Sequence, residues 1–146
     1  MIKKLININL INLNIVSNNK EDLFKELALP LLKESKIKDL DVFLKGIHAR
    51  EAQCTTATEG IAYPHCKSDT VISPAISVGI APAGIEYGQD DDEPKPQVFF
   101  MIASPADSDY HIQILKALFV KFDSDFVAKL CSATSPQDTL NIILED

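Results

Sequence analysis

Apolar and polar residues alternate near the start of the chain. Ile6, Ile8 and Leu10 share one phase, and Ile11, Leu13 and Ile15 share the opposite one. A period of two belongs to a half-buried strand, and the slip at Leu10-Ile11 turns the pattern over. The pattern therefore predicts a break or bulge there and a strand over residues 11–16. Ser17-Asn18-Asn19 supplies a turn and a helix cap, with Asn18 and Glu21 in loose capping-box spacing. Leu23, Phe24, Leu27, Leu31 and Leu32 follow at helical spacing. Pro30, which lacks a backbone donor, predicts a kink or frayed end nearby. A second helix is expected to start at Asp39 or Asp41 and reach Ala52, burying Val42, Phe43 and Ile47.

The helical period ends at Gln53. Residues 53–60 read as a threonine-rich loop, and Ile61-Ala62-Tyr63 is a short apolar run stopped by Pro64. Residues 75–80 and 98–103 read as two buried strands. The connection between them, 84–96, carries an acidic run at 90–93 that reads as a solvated turn. Asp107 or Ser108 can cap a third helix with apolar positions Ile112, Leu115, Leu118, Phe119 and Phe122. Two short helices should follow, one from Ser124 and one from Ser135-Pro136, where serine stands at the N-cap and proline at N1. Strands interleaved with helices predict an α/β sandwich, a mixed β-sheet with helices on both faces. With no internal repeat and no linker, residues 1–146 are expected to form a single domain.

Composition narrows the functional class. At 146 residues, 46% hydrophobic and 24% charged, the chain can bury a core without staples or structural metal. The net charge is −7 and Arg50 is the single arginine, so the clustered cations that grip a phosphate backbone are missing and nucleic acid is excluded. A protein partner is expected to present a basic face. Cys54, Cys66 and Cys131 form no CxxC pair, which fits a reducing, cytoplasmic setting. The opening Met1-Ile2-Lys3-Lys4 imitates a signal peptide, but Asn7, Asn9, Asn12 and Asn14 interrupt the apolar stretch that one needs. No run approaches the 18 apolar residues of a membrane span, so no membrane insertion is expected.

Chemistry centres on the histidines. His48 reads as a bystander within the second helix. His65 follows a rigid proline at the end of a short buried run, a place where α/β folds put ligand-contacting groups. His111 falls in the first turn of its helix, where free N–H groups favour anions and keep an imidazole neutral. A neutral imidazole is a competent phosphoryl acceptor. Arg50, the two histidines and the hydroxyls of Thr55, Thr56 and Thr58 can stabilise the transferring group. No Walker-type glycine loop is present, so the donor need not be a nucleotide. A metal site built from His65, Cys66, Cys54 and His111 lacks the CxxC or HxxxH pairs that zinc sites usually show.

Arg50-Glu51, the threonine-rich loop and Gly60-Ile61-Ala62-Tyr63-Pro64-His65 together resemble the active-site signature of the fructose/mannitol-type enzyme IIA domains of the bacterial phosphoenolpyruvate-dependent sugar phosphotransferase system. The 86–88 segment before the acidic turn, the strand at Val98 and His111-Ile112 fit the same pattern. The resemblance implies that His65 accepts a phosphoryl group from the histidine-containing phosphocarrier protein and passes it to a cysteine of an enzyme IIB domain. It implies that His111 supports that group and Arg50 neutralises it, with no metal or organic cofactor. It also implies a cytoplasmic protein that can associate with a membrane-bound IIC component. The alternative within the resemblance is a regulatory, nitrogen-related enzyme IIA whose phosphorylation state controls a partner.

The loop departs from the family pattern. Thr55, Thr56 and Glu59 are the candidate phosphoryl-contacting positions, and two of the family's loop glycines are threonines here, which would strain any positive φ at those sites. Glu59 stands at an asparagine position. At 6 Å from a phosphoryl charge its carboxylate would cost ~3 kcal/mol, about a hundredfold in transfer, at an effective dielectric near 20. Alternatively it accepts the ring N–H of His65 and fixes the reactive nitrogen.

Overall fold

The strongest strand in the sequence is also the centre of the fold. In a computed structural model, which describes residues 2–145, strand β6 (Val98–Pro105) runs through the sheet with every residue from Val98 to Ser104 buried. Strand β5 (Ala75–Ile80), buried throughout, pairs antiparallel to it, with Val78 opposite Phe100. On the far side of β5 lies β1 (Ile11–Asn12), parallel. On the other side of β6 the chain runs parallel as two consecutive pieces, β3 (Ile61–Ala62) and β4 (His65–Ser68). Between those pieces Pro64 has no N–H to offer, and only its carbonyl joins the ladder, accepting the Ile102 N–H at 2.9 Å. The hairpin strand β2 (Ala57–Thr58) closes against β3. Parallel and antiparallel pairs together make the sheet mixed.

Because successive side chains on a strand point to opposite faces, β6 feeds two cores. Phe99, Met101 and Ala103 join a cluster with Leu23, Phe24, Leu27 and Leu31 of α1 (Lys20–Lys33) and Phe43, Leu44 and Ile47 of α2 (Leu40–Glu51). Val98, Phe100 and Ile102 join the other, with Ile114 and Leu118 of α3 (Tyr110–Phe119), Phe126, Val127 and Leu130 of α4 (Ser124–Cys131), and Ile143 of α5 (Pro136–Leu144). The chain is an α/β sandwich with helices on both faces of a mixed sheet.

Where the pattern was clear, the elements follow it. Ser135 caps α5 by accepting the Asp138 N–H, with Pro136 at its first position. Asp39 caps α2. The 90–93 run is a largely exposed turn.

Several expectations need correction. Val42, expected in the buried stripe of α2, is 46% exposed, and α3 starts after Asp109 rather than Asp107 or Ser108 and ends at Phe119, short of Phe122. The strand over 11–16 shortens to two residues because side chains take its backbone donors: Asn12 accepts the Asn14 N–H, and Glu26 accepts those of Val16 and Ser17. The residues before it form two short 3₁₀ turns, Ile2–Lys4 and Ile8–Leu10. The cap of α1 falls one residue later than expected, with Asn19 accepting the Asp22 N–H, and the helix continues past Pro30 to Lys33. The third stripe is displaced as well. α3 is apolar on most of its sides, so the period does not single out one face. The sheet takes Ile114 and Leu118, leaving Ile112 and Phe119 about 45% and 44% exposed.

Candidate active site

The break at Tyr63-Pro64 delivers His65 to the first position of β4, whose outer edge carries no further strand among the described residues. Two helices flank this edge. The C-terminal turns of α2 bring Arg50 from one side. Gly46 permits the close approach, because a Cβ there would stand 2.9 Å from the Cys66 Sγ of β4. The first turn of α3 brings His111 from the other side, anchored by the ion pair of Lys67 with the N-cap residue Asp109 at 2.9 Å. His65, His111 and Arg50, together with Lys67, line one open cavity of about 350 Å³. A larger cleft of about 620 Å³, at the ends of β1 and β5, holds no histidine, cysteine or arginine.

The rings of His65 and His111 are stacked, with centroids 5.8 Å apart and planes 20° from parallel. Tyr63 also stacks on His65, at 6.0 Å and 13°. His65 Nδ1 lies 2.9 Å from the Tyr63 carbonyl oxygen. A carbonyl oxygen only accepts, so Nδ1 carries the proton and Nε2 keeps its lone pair. The Nδ1 of His111 is buried without a protein partner. Its Nε2 is therefore the nitrogen open to the cavity.

Both histidines are held below their ordinary pKa. For His65 the chief cause is burial, reinforced by the positive charges of Arg50 and His111 and opposed by the Tyr63 carbonyl and the Glu51 carboxylate. For His111 burial again leads, with Lys67 and Arg50 pulling the same way and Asp109 opposing them. The unprotonated, nucleophilic form of His65 thus prevails at neutral pH. Phosphoryl acceptance, measured as an initial rate between about pH 5.5 and 8, should stay level down to about 6.5 and fall only below that. A rate that climbs as the medium is acidified would contradict this. The unfolded chain binds protons on these rings at higher pH than the folded one. Their contribution to stability is therefore present above about pH 6.5 and is lost as pH falls toward the lower folded values.

The loop candidates lie elsewhere. Thr56 is fully buried, with its hydroxyl on Glu51 Oε1 at 2.7 Å and beside the Tyr87 hydroxyl at 2.9 Å. The Thr55 hydroxyl accepts the Ala57 N–H at 3.3 Å. Glu59 sits exposed in the β2–β3 turn, its N–H bonded to Glu93 at 2.8 Å. None of the three lines the histidine cavity, because the chain turns back into the β2–β3 hairpin before it reaches His65. The acceptor for the His65 N–H is the Tyr63 carbonyl and not Glu59. The threonines also escape strain, since the positive φ values fall on Glu59 (52°) and Gly60 (86°). Glu59→Asn is accordingly expected to change the rate of phosphoryl acceptance by less than about twofold. It should raise stability in urea by up to about 1 kcal/mol, because asparagine tolerates the left-handed region better. A large gain in rate would place residue 59 back at the site.

The remaining candidates separate cleanly. His48 packs its ring 5.1 Å from Phe24, away from the cavity residues. Cys66 is buried against the Phe43 carbonyl, and its thiol is pushed up to about 12, which leaves it a poor nucleophile. Among the described residues no group of three His, Cys, Asp or Glu side chains is arranged to hold a metal ion, and no helix is long and apolar enough to cross a membrane.

Residues 4–146 match the family model described as "Phosphoenolpyruvate-dependent sugar phosphotransferase system, EIIA 2". The chain belongs to this family. It is 33% identical over 144 residues to the PTS system fructose-specific EIIABC component of Bacillus subtilis (strain 168), covering 97% of this chain and 23% of that protein. The chain therefore spans about a quarter of that relative's length. Among solved structures it resembles the nitrogen regulatory protein IIA-Ntr of Neisseria meningitidis, with a TM-score of 0.86 at 22% identity, covering 96% of this chain and 97% of that one. It also resembles the Escherichia coli complex of enzyme IIAMTL with phosphorylated enzyme IIBMTL, with a TM-score of 0.81 at 20% identity, covering 94% and 96%. At such identity the structural likenesses speak to the EIIA fold alone.

Two features of the site were not drawn from the sequence. One is the ring stack of Tyr63 on His65, which no spacing rule reveals. The other is Glu51. Phe43, Ile47 and Glu51 follow one another at i, i+4 on the buried stripe of α2, and a carboxylate at a core position was a readable signal.

Proposed function

We propose that this chain is a phosphocarrier in sugar uptake, taking a phosphoryl group on His65 Nε2 and passing it to a second protein. The observation that carries the reading is the Nδ1–H of His65 bonded to the Tyr63 carbonyl, beside the Arg50 and His111 side chains. The Nε2 lone pair attacks the phosphorus of a phosphohistidine on the incoming donor. The new Nε2–P bond forms as the donor's N–P bond breaks, and the donor ring leaves with the electron pair. Arg50 and the Nε2 of His111 face the equatorial oxygens, where cationic and N–H donors stabilise charge in the transition state. Retention of the proton on Nδ1 leaves the phosphorylated ring cationic, which makes it a good leaving group in the next step. There a cysteine thiolate of the acceptor attacks phosphorus, and His65 returns to its starting tautomer.

We assign the donor as the histidine-containing phosphocarrier protein and the acceptor as an enzyme IIB domain, with the cycle running in the cytoplasm. Exposed Tyr110, Ile112 and Phe119 beside the cavity favour a protein over a small-molecule donor. Family membership and the Bacillus subtilis relative favour sugar uptake over a regulatory role, although both need the same histidine. The test is a two-stage transfer. The purified protein should acquire acid-labile phosphate from phosphoenolpyruvate with the two general phosphotransferase proteins, then lose it to a fructose-type IIB domain. Labelling without onward transfer would favour the regulatory reading, and no labelling would contradict both.

A further inference from the structure

Glu51 is a buried carboxyl group that the transfer chemistry does not use. It is 6% exposed, and its two oxygens take three hydrogen bonds. Oε2 accepts the Thr56 N–H at 2.8 Å, and Oε1 accepts the hydroxyls of Thr56 at 2.7 Å and Tyr87 at 3.0 Å. Thr56 and Tyr87 are 0% and 1% exposed, so water does not compete for these bonds. Tyr87 comes from the connection between β5 and β6. Its ring rests edge-on against Phe24 of α1, at 5.9 Å, and near Phe99 of β6, at 6.2 Å. The knot thus ties the end of α2 to the segment that follows it and to both α1 and the sheet.

A buried carboxyl held this way is costly to unmake, since each lost donor leaves a desolvated polar group behind. The chain between Glu51 and Thr56 is therefore pinned at both ends. Cys54 lies within that span, exposed at its side chain, and its carbonyl accepts Arg50 Nη1 at 3.2 Å. It is the one hydrogen bond that the Arg50 guanidinium makes among the described residues. A carbonyl on a loose exposed segment would not hold one direction.

We propose that Glu51, braced by Thr56 and Tyr87, is a positioning residue for phosphoryl transfer: it fixes the Cys54 carbonyl, which in turn aims Arg50 at the phosphoryl group on His65. The proposal deepens the phosphocarrier reading and rests on it for the catalytic consequence. Small errors in aim cost rate steeply when catalysis works by placement.

The test uses Thr56→Val, which keeps the backbone donor and removes the hydroxyl, and Tyr87→Phe as a second disruption should the first fail to fold. Arg50 is the single arginine, so its Nε–H gives one side-chain signal in a ¹⁵N–¹H spectrum of the intact protein. In Thr56→Val the heteronuclear NOE of that signal should fall toward the value of a free side chain, and the rate of phosphoryl acceptance should drop about tenfold. Glu51→Gln can still offer its carbonyl to the Thr56 N–H and its amide to the two hydroxyl oxygens. It should therefore stay within about twofold of the wild-type rate. In an Arg50→Ala background, Thr56→Val should cost less than about a further twofold, because the residue it acts through is gone. An unmoved Arg50 signal, or the full tenfold loss persisting without Arg50, would overturn the proposal. A wild-type protein that takes no phosphoryl group would overturn the His65 reading instead. The Arg50 signal, read on the unphosphorylated protein, would still decide whether Glu51 positions it.

Discussion

Replacing His65 with alanine is expected to reduce phosphate incorporation from phosphoenolpyruvate to the assay blank, a loss of more than about 1,000-fold. Two other nucleophiles line the cavity, and each is disadvantaged in its own way. Cys66 is buried with its thiol pushed up to about 12, so its thiolate is absent at neutral pH. His111 has its Nδ1 buried without a protein partner, so no carbonyl fixes its tautomer as the Tyr63 carbonyl fixes that of His65. The substitution trims a ring at the cavity wall and breaks a single hydrogen bond, to the Tyr63 carbonyl. The variant should therefore remain folded, and its circular dichroism should match the wild type. Labelled protein in this variant, with the label surviving on His111 or a cysteine, would mean that position 65 is not the acceptor.

The second large effect is expected at Arg50. Removing its charge with Arg50→Ala should slow phosphoryl acceptance about 10²- to 10³-fold, the usual loss when one preorganised stabiliser of transition-state charge is deleted. Binding of the donor protein should change far less, since a single rim charge contributes little once salt screens it. Arg50→Lys should recover only part of the rate, because an ammonium is a point charge without the planar fork that meets two phosphoryl oxygens. A loss of less than about fivefold for the alanine variant, measured under single-turnover conditions, would show that the charge is supplied elsewhere. Lys67 is the next cation on the cavity wall, and Lys67→Ala is the control that would reveal such a substitution.

Much of the fold could be read directly because burial here is strongly patterned. Residues 75–80 and 98–103 are continuous apolar runs, and the structure buries them on both faces as β5 and β6. Ser135-Pro136 marks a helix start by local chemistry that no tertiary contact overrides. The failures have equally local causes. Alternation over 11–16 yields only the two-residue β1 because Asn12 and Glu26 take the later backbone donors. That competition depends on a glutamate in α1 and is invisible in the local pattern. α3 carries apolar residues almost all round, so periodicity alone could not tell the sheet-facing side from the side beside the site.

The site divides along the same line. His65, His111 and Arg50 could be named because each belongs to a motif or stands at a helix or strand end, and the fold brings all three to one cavity. Thr55, Thr56 and Glu59 were grouped with them for the threonine hydroxyls and for the family's loop pattern, in which Glu59 stands at an asparagine position. None of them lines the cavity: Glu59 lies at the tip of the β2–β3 hairpin, and Thr56, although its carbonyl accepts the Tyr63 N–H, turns its hydroxyl inward. Thr56 has instead the inward role of holding Glu51, and Glu59 occupies the turn.

The most direct test locates the phosphoryl group on the ring. A long-range ¹H–¹⁵N spectrum of the phosphorylated protein, read with its ³¹P coupling, distinguishes the two nitrogens of each histidine. A single phosphorylated nitrogen is expected, Nε2 of His65, with the proton retained on Nδ1 against the Tyr63 carbonyl. Phosphorus coupled to Nδ1 of His65, or to either nitrogen of His111, would contradict it.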